Sequence, residues 1–260
     1  FYLYMELRKI RVRVRNGRLD EGDEIVITLG DTRGGGPGWS LPARPSRVDV
    51  AVEVDERAMG VYRLIADCPV LEAVGGEAVS LQPVLSACDE AGEARLIVRA
   101  VDGKGEVDPT FTGEVRLVLD EGMEASDLVT FHSENRGVAS VSCRMTRPGI
   151  YRVGAVGGGL AGESNPVLVG GDLRLYWGDL HVHTALCDGC LEPGSFYREA
   201  RDVLGLDFAA ITAHDTMDLF EPSGRAEEWD LVKRLQREFC EPGRFVTFLG
   251  YEWSDHKWGH

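Results

Sequence analysis

His181 and His183 stand two residues apart in Leu180-His-Val-His183. On a strand, residues i and i+2 point to the same side, so both imidazoles can bind one metal ion or flank two. His214 ends an apolar run, Ala209-Ala-Ile-Thr-Ala-His214, and Glu252 follows another, Phe245-Val-Thr-Phe-Leu-Gly-Tyr251. Asp188 lies in the turn-like Cys187-Asp-Gly189, and His256 and His260 come at the end; of the histidines, only His132 lies outside this region. Imidazole suits Zn, Fe and Mn, and a carboxylate such as Glu252 can bridge two cations. Residues of these types, brought together, could hold one or two divalent cations.

The elements needed to bring them together are legible. Leu173–His183 reads as a strand. Ser195–Leu204 reads as a helix, with Pro193 and Ser195 as start signals and Gly205 as its stop. Leu206–Thr212 reads as a buried strand, Ala226–Phe239 as a second helix with Leu231, Val232, Leu235 and Phe239 inward, and Phe245–Tyr251 as a third strand. Strand, helix, strand, helix, strand implies parallel pairing. In a parallel α/β barrel the carboxyl ends of the strands converge on one face. Each of the three strands delivers a histidine or a glutamate there.

Before Gly170-Gly171 the pattern is different. Period-2 alternation marks Ile10–Val14, Ile25–Leu29, Val48–Val54, Leu96–Val98, Val115–Leu119, Val141–Met145 and Tyr151–Ala155. Turn pairs such as Asn16-Gly17, Asp102-Gly103 and Pro148-Gly149 separate them. Short strands spaced in this way indicate β-sandwich modules. The expected division is a β-rich module over 1–75, truncated at its N-terminus, an immunoglobulin-like sandwich over 76–170, and a third domain over 171–260. Gly30-Asp-Thr-Arg-Gly-Gly-Gly-Pro-Gly38 lacks the Gly-Lys-Ser/Thr ending of a phosphate loop and reads as structural.

Composition bounds the rest. The chain has 260 residues, 43% hydrophobic, and a formal net charge of −15. That charge disfavours nucleic acid and anionic membrane as partners. No run of 18 apolar residues exists, so no transmembrane helix is expected. Six cysteines are too few and scattered for a disulfide scaffold. The chain begins without Met and ends abruptly, so it reads as a fragment of a longer protein. No targeting signal is visible; location stays open, with the cytoplasm ahead.

Three segments carry a family resemblance. Tyr176-Trp-Gly-Asp-Leu-His-Val-His-Thr184 with Cys187-Asp-Gly189 resembles the first motif of the polymerase-and-histidinol-phosphatase (PHP) superfamily. Ala210-Ile-Thr-Ala-His-Asp215 resembles its second motif, and Gly250-Tyr-Glu-Trp253 with Gly259-His260 its third. The Trp-Gly-Asp-Leu-His lead-in behind β modules resembles the carbaryl-hydrolase-like subgroup. The resemblance covers about 176–260. It implies a (β/α)7 barrel, of which only the first half fits in this chain, with two or three divalent cations (Zn, Mn or Fe). It implies His181, His183, Asp188, His214, Glu252 and His260 as metal ligands. It further implies a metal-activated water, its pKa lowered to roughly 7, attacking a small-molecule phosphoester or related ester, with no protein residue assigned as catalyst. Ala213 departs from the family pattern, which has Asp there. The fragment alone is expected to be inactive.

Rival readings remain beside this one. The β modules fit an adhesion or carbohydrate-binding protein with a degenerate hydrolase segment, which predicts lost ligands. An amidohydrolase-type barrel also begins with His-x-His, but expects a metal-binding Lys and no Asp five residues after the second histidine. His256 reads as a solvated loop residue, Asp215 equally as a ligand or a turn cap. Cys187-Asp-Gly-Cys190 suits a redox pair or structural zinc site less well, because no second cysteine pair accompanies it.

Overall fold

A computed structural model describes residues 12, 14, 17–28, 30–35, 46–49, 52–55, 59–189, 191–214 and 224–253. The chain forms two compact units, Phe1–Leu41 and Pro42–His260. In the first, the alternating stretch at 25–28 forms no strand, and Ile25, Val26 and Ile27 lie exposed.

The second unit is mostly β structure with few helices. Four short strands come first: β1 (Ser46–Asp49) pairs with β4 (Val70–Ala73), and β2 (Glu53–Val54) with β3 (Arg63–Leu64), all antiparallel. A β-sandwich follows. One sheet holds β5 (Ser80–Leu85), β6 (Glu93–Val101), β10 (Val138–Met145) and β8 (Met123–Glu124) in that order. The other holds β13 (Leu160–Glu163), β12 (Val153–Gly157), β7 (Gly113–Leu119) and β9 (Leu128–Phe131). A separate pair joins β11 (Gly149–Tyr151) to β14 (Val167–Val169). Alternate residues of β5, β7 and β9 point inward. Leu85, Leu96, Val98, Val115, Phe131 and Val153 fill the space between the sheets. The expected runs at 96–98, 115–119 and 141–145 fall inside β6, β7 and β10.

The last part is a parallel three-stranded sheet, ordered β15 (Gly178–Asp179), β16 (Phe208–Ile211) and β17 (Val246–Leu249). Helices α1 (Pro193–Asp202) and α2 (Gly224–Phe239) connect the strands. Their apolar faces meet the sheet in a second core of Phe196, Tyr197, Ala209, Ile211, Phe239 and Phe245. The Glu192 carboxylate accepts from the Ser195 amide at 2.7 Å, with Pro193 next, so α1 starts two residues before the sequence pattern suggests. Gly205, at φ +68°, turns the chain after it.

The strand expected over Leu173–His183 condenses to two residues. On either side of them, side chains take up backbone groups that a longer ladder would have paired. The Trp177 amide donates to the Asp207 carboxylate at 2.8 Å, and the Val182 amide to Thr212 Oγ1 at 3.0 Å. Among the described residues, no helix is long and apolar enough to cross a membrane.

Candidate metal centre

The ends of the three parallel strands lie together. The Thr212 amide donates to the Val182 carbonyl at 2.9 Å, and the Glu252 amide to the Ala213 carbonyl at 3.0 Å. His214 and Glu252 form an isolated parallel bridge. These bonds carry the sheet register past the strands and into the side chains of interest.

Glu252 is the hub. Its Oε2 lies 2.7 Å from His183 Nε2, 3.4 Å from His181 Nε2 and 3.3 Å from His214 Nδ1. The other nitrogen of His183, Nδ1, lies 2.5 Å from Asp188 Oδ1, and His214 Nε2 is 3.8 Å from Asp188 Oδ2. The rings of His181 and His183 stack with centroids 5.2 Å apart, and that of His214 meets His183 edge-on at 4.5 Å. The side chain of His214 is 4% exposed and that of His181 66%, so the cluster is deep at one end and open at the other.

Asp188 arrives by a tight turn. The amides of Cys187 and Gly189 both donate to the Thr184 carbonyl, at 2.9 and 3.1 Å. A side chain at Gly189 would put its Cβ 2.3 Å from the His183 carbonyl oxygen, so glycine is what lets the turn close onto the histidine strand.

The electrostatics follow from the packing. Burial lowers the pKa of His183 most strongly as a single cause, but hydrogen bonds to Asp188 and Glu252, with their charges, outweigh it and leave the ring above its ordinary value. Asp188 is held below the usual carboxylate range; burial opposes this, and the bond from His183 prevails with help from Cys187.

Two overlapping donor groups result: His181, His183 and Glu252, and His183, Asp188 and His214, with the ligand atoms of each within 4.8 Å of one another. Tetrahedral coordination with bonds of about 2.0–2.1 Å spaces ligand atoms about 3.3 Å apart. The His181–Glu252 distance matches that spacing, whereas His183 stands at hydrogen-bond distance, 2.5 and 2.7 Å, from Asp188 and Glu252. Mixed imidazole and carboxylate donors fit Zn, Mn or Fe.

Five of the six residues expected as ligands are therefore neighbours in space. His260 lies outside the described residues, as do His256, Asp215 and Cys190. Cys187 is a free thiol, and His132 lies in the sandwich at the head of a short 3-10 turn, Ser133–Asn135. Sequence reasoning passed over Thr212, whose hydroxyl fixes Val182 between the two histidines, and Asp207, which ties down Trp177. A buried-type strand flanked by Asp and Thr was the available signal.

No family model matches the chain, and no curated protein matches it. Among solved structures it is similar to a β-glucuronidase from glycoside hydrolase family 2, at 16% identity and TM-score 0.30, covering 42% of this chain and 13% of that one. It is similar to a Parabacteroides merdae β-glucuronidase at 14% identity and TM-score 0.32, covering 41% of this chain and 14% of that one. It is also similar to the Escherichia coli adhesin FdeC, at 14% identity and TM-score 0.29, covering 48% and 40%. The chain thus spans 13% of the length of the first of these proteins.

Proposed function

We propose that residues 171–260 are the first part of a PHP-type metallohydrolase barrel and that His181, His183, Asp188, His214 and Glu252 hold divalent cations. The observation that supports this reading is the convergence of three strand ends on one carboxylate: Glu252 Oε2 lies within 2.7–3.4 Å of ring nitrogens of His183, His214 and His181, and Asp188 lies on the far side of His183.

Bound cations would supply Lewis-acid activation of water and of the substrate's ester oxygen. The chain's own residues would do the rest. Asp188 orients His183 through Nδ1, leaving Nε2 toward the shared centre. Glu252 offers a carboxylate to three imidazoles at once. The exposed ring of His181 marks the side from which a small ester or phosphoester would approach. His260 joins this proposal as a sixth ligand on the sequence resemblance alone.

The test is to titrate the 260-residue chain with Zn²⁺ and Mn²⁺, and to assay a metal-loaded chain that includes the whole barrel against aryl phosphates and aryl esters. Metal uptake by the first and metal-dependent hydrolysis by the second are the expected outcomes. A chain that takes up neither metal overturns the reading.

A further inference from the structure

Asp207 is the point where the β-sandwich meets the parallel sheet. It is 7% exposed, at the head of β16. One carboxylate oxygen accepts from the Ala87 amide of the sandwich at 2.7 Å, the other from the Trp177 amide at 2.8 Å. Its own amide donates to the Trp177 carbonyl at 2.7 Å, and its carbonyl accepts from the Val246 amide at 2.9 Å. One residue thus fixes the starts of β15, β16 and β17 and ties them to the sandwich.

The surroundings repeat the connection. The Trp177 indole donates to the Pro166 carbonyl at 3.3 Å, and Arg95 of β6 donates to the carbonyl of Arg201 at the end of α1. At Gly205 a Cβ would lie 3.0 Å from Val84 and 3.3 Å from Ile97, so the sandwich packs directly on the chain leaving α1.

β15 needs such support. It has two residues, too few to hold a register by its own ladder. His181 and His183 follow within four residues of its end. Beyond it the chain is held through Val182 and Thr212; before it, through Trp177 and Asp207.

We propose that Asp207 is a positioning residue for the metal centre, and that the sandwich, through the Ala87 amide, is part of the support that sets His181 and His183. This rests on the metal reading above. A carboxylate suits the task because it accepts from two amides on separate segments. Asparagine would accept from one and turn an N–H against the other.

The experiment measures Zn²⁺ affinity by calorimetry in the full chain, with Zn²⁺ alone as the probe. Asp207→Ala is expected to weaken binding about tenfold or more, the scale of outer supports of metal ligands, and Asp207→Asn to fall between it and the wild type. Leu117→Ala, in the sandwich core away from this contact, controls for lost stability; it should lower the unfolding midpoint and leave Zn²⁺ affinity unchanged. In the wild type, Zn²⁺ should slow hydrogen exchange of the Ala87 amide, because coupling between two sites is reciprocal. That measurement needs no variant to fold. The proposal alone is overturned if the wild type binds Zn²⁺ and Asp207→Asn binds it equally well, if Leu117→Ala weakens binding as much, or if Ala87 exchange is indifferent to Zn²⁺. A wild-type chain that takes up no Zn²⁺ overturns the metal reading together with it.

Discussion

His183 is the residue on which the centre turns, and its protonation sets how the metal-free protein behaves. Facing Asp188 and Glu252, the ring is held above its ordinary pKa despite the opposing effect of burial. A metal ion must displace a proton from it, so binding is coupled to pH. Zn²⁺ affinity is expected to fall as pH drops through the raised pKa of His183, beginning above the value of about 6.5 for a free imidazole. Calorimetric Kd values measured from about pH 8 down to about pH 5 check this; a flat profile would contradict it. Substitutions at the same scale separate the roles. His183→Ala removes the one residue shared by both donor groups and should abolish measurable Zn²⁺ binding. Glu252→Gln keeps the shape but removes the charge facing three imidazoles, and should weaken binding by at least the roughly 10–100-fold seen for lesser supports.

At the scale of elements, the turn after the histidine strand is the part least tolerant of change. Gly189→Ala would push a Cβ to 2.3 Å from the His183 carbonyl oxygen and 2.5 Å from the Thr184 nitrogen, both backbone atoms that cannot swing aside. The turn must open, carrying Asp188 away from His183. The expected cost is about 1–3 kcal/mol of stability, with weaker Zn²⁺ binding, read by urea unfolding and by titration. Gly103→Ala, where a Cβ meets nothing within 4 Å, should change neither by more than about 0.5 kcal/mol. Much of this region was legible in the sequence because its signals are local. Pro193 and Gly205 bracket α1, continuous apolar runs mark β16 and β17, and the i, i+2 spacing of His181 and His183 set them on one side. The strand is shorter than the pattern over 173–183 suggests, because alternation does not reveal that Asp207 and Thr212 side chains take the amides of Trp177 and Val182. Alternation at 25–28 likewise says nothing about whether a partner surface exists to bury it. Asp188 was legible through its resemblance and its turn, whereas Asp207 acts across 120 residues of sequence, a separation no local pattern encodes.

At the scale of the whole molecule, Asp207 is expected to make the contact between sandwich and sheet depend on pH. Burial is the largest influence on its carboxyl and raises its pKa, against the pull of the Trp177 and Ala87 amides and the charge of Arg95. In the unfolded chain the group titrates near the ordinary aspartate value of about 3.9. With the folded value above the unfolded one, the native state holds the proton more tightly. That contribution to stability is fully present below about pH 3.9 and is lost as pH rises through the folded pKa. Asp207→Asn removes this titration. The other carboxylates of a chain with net charge −15 also ionise in this range, but they do so in both proteins and cancel in the difference. Relative to Asp207→Asn, the wild type should therefore lose stability as pH rises from about 4, and the gap should level off once Asp207 is ionised in the folded state. Urea unfolding of the two chains across that range measures the difference directly. A difference that does not change with pH would mean that the carboxyl is as well solvated in the folded protein as in the unfolded chain, which its burial argues against.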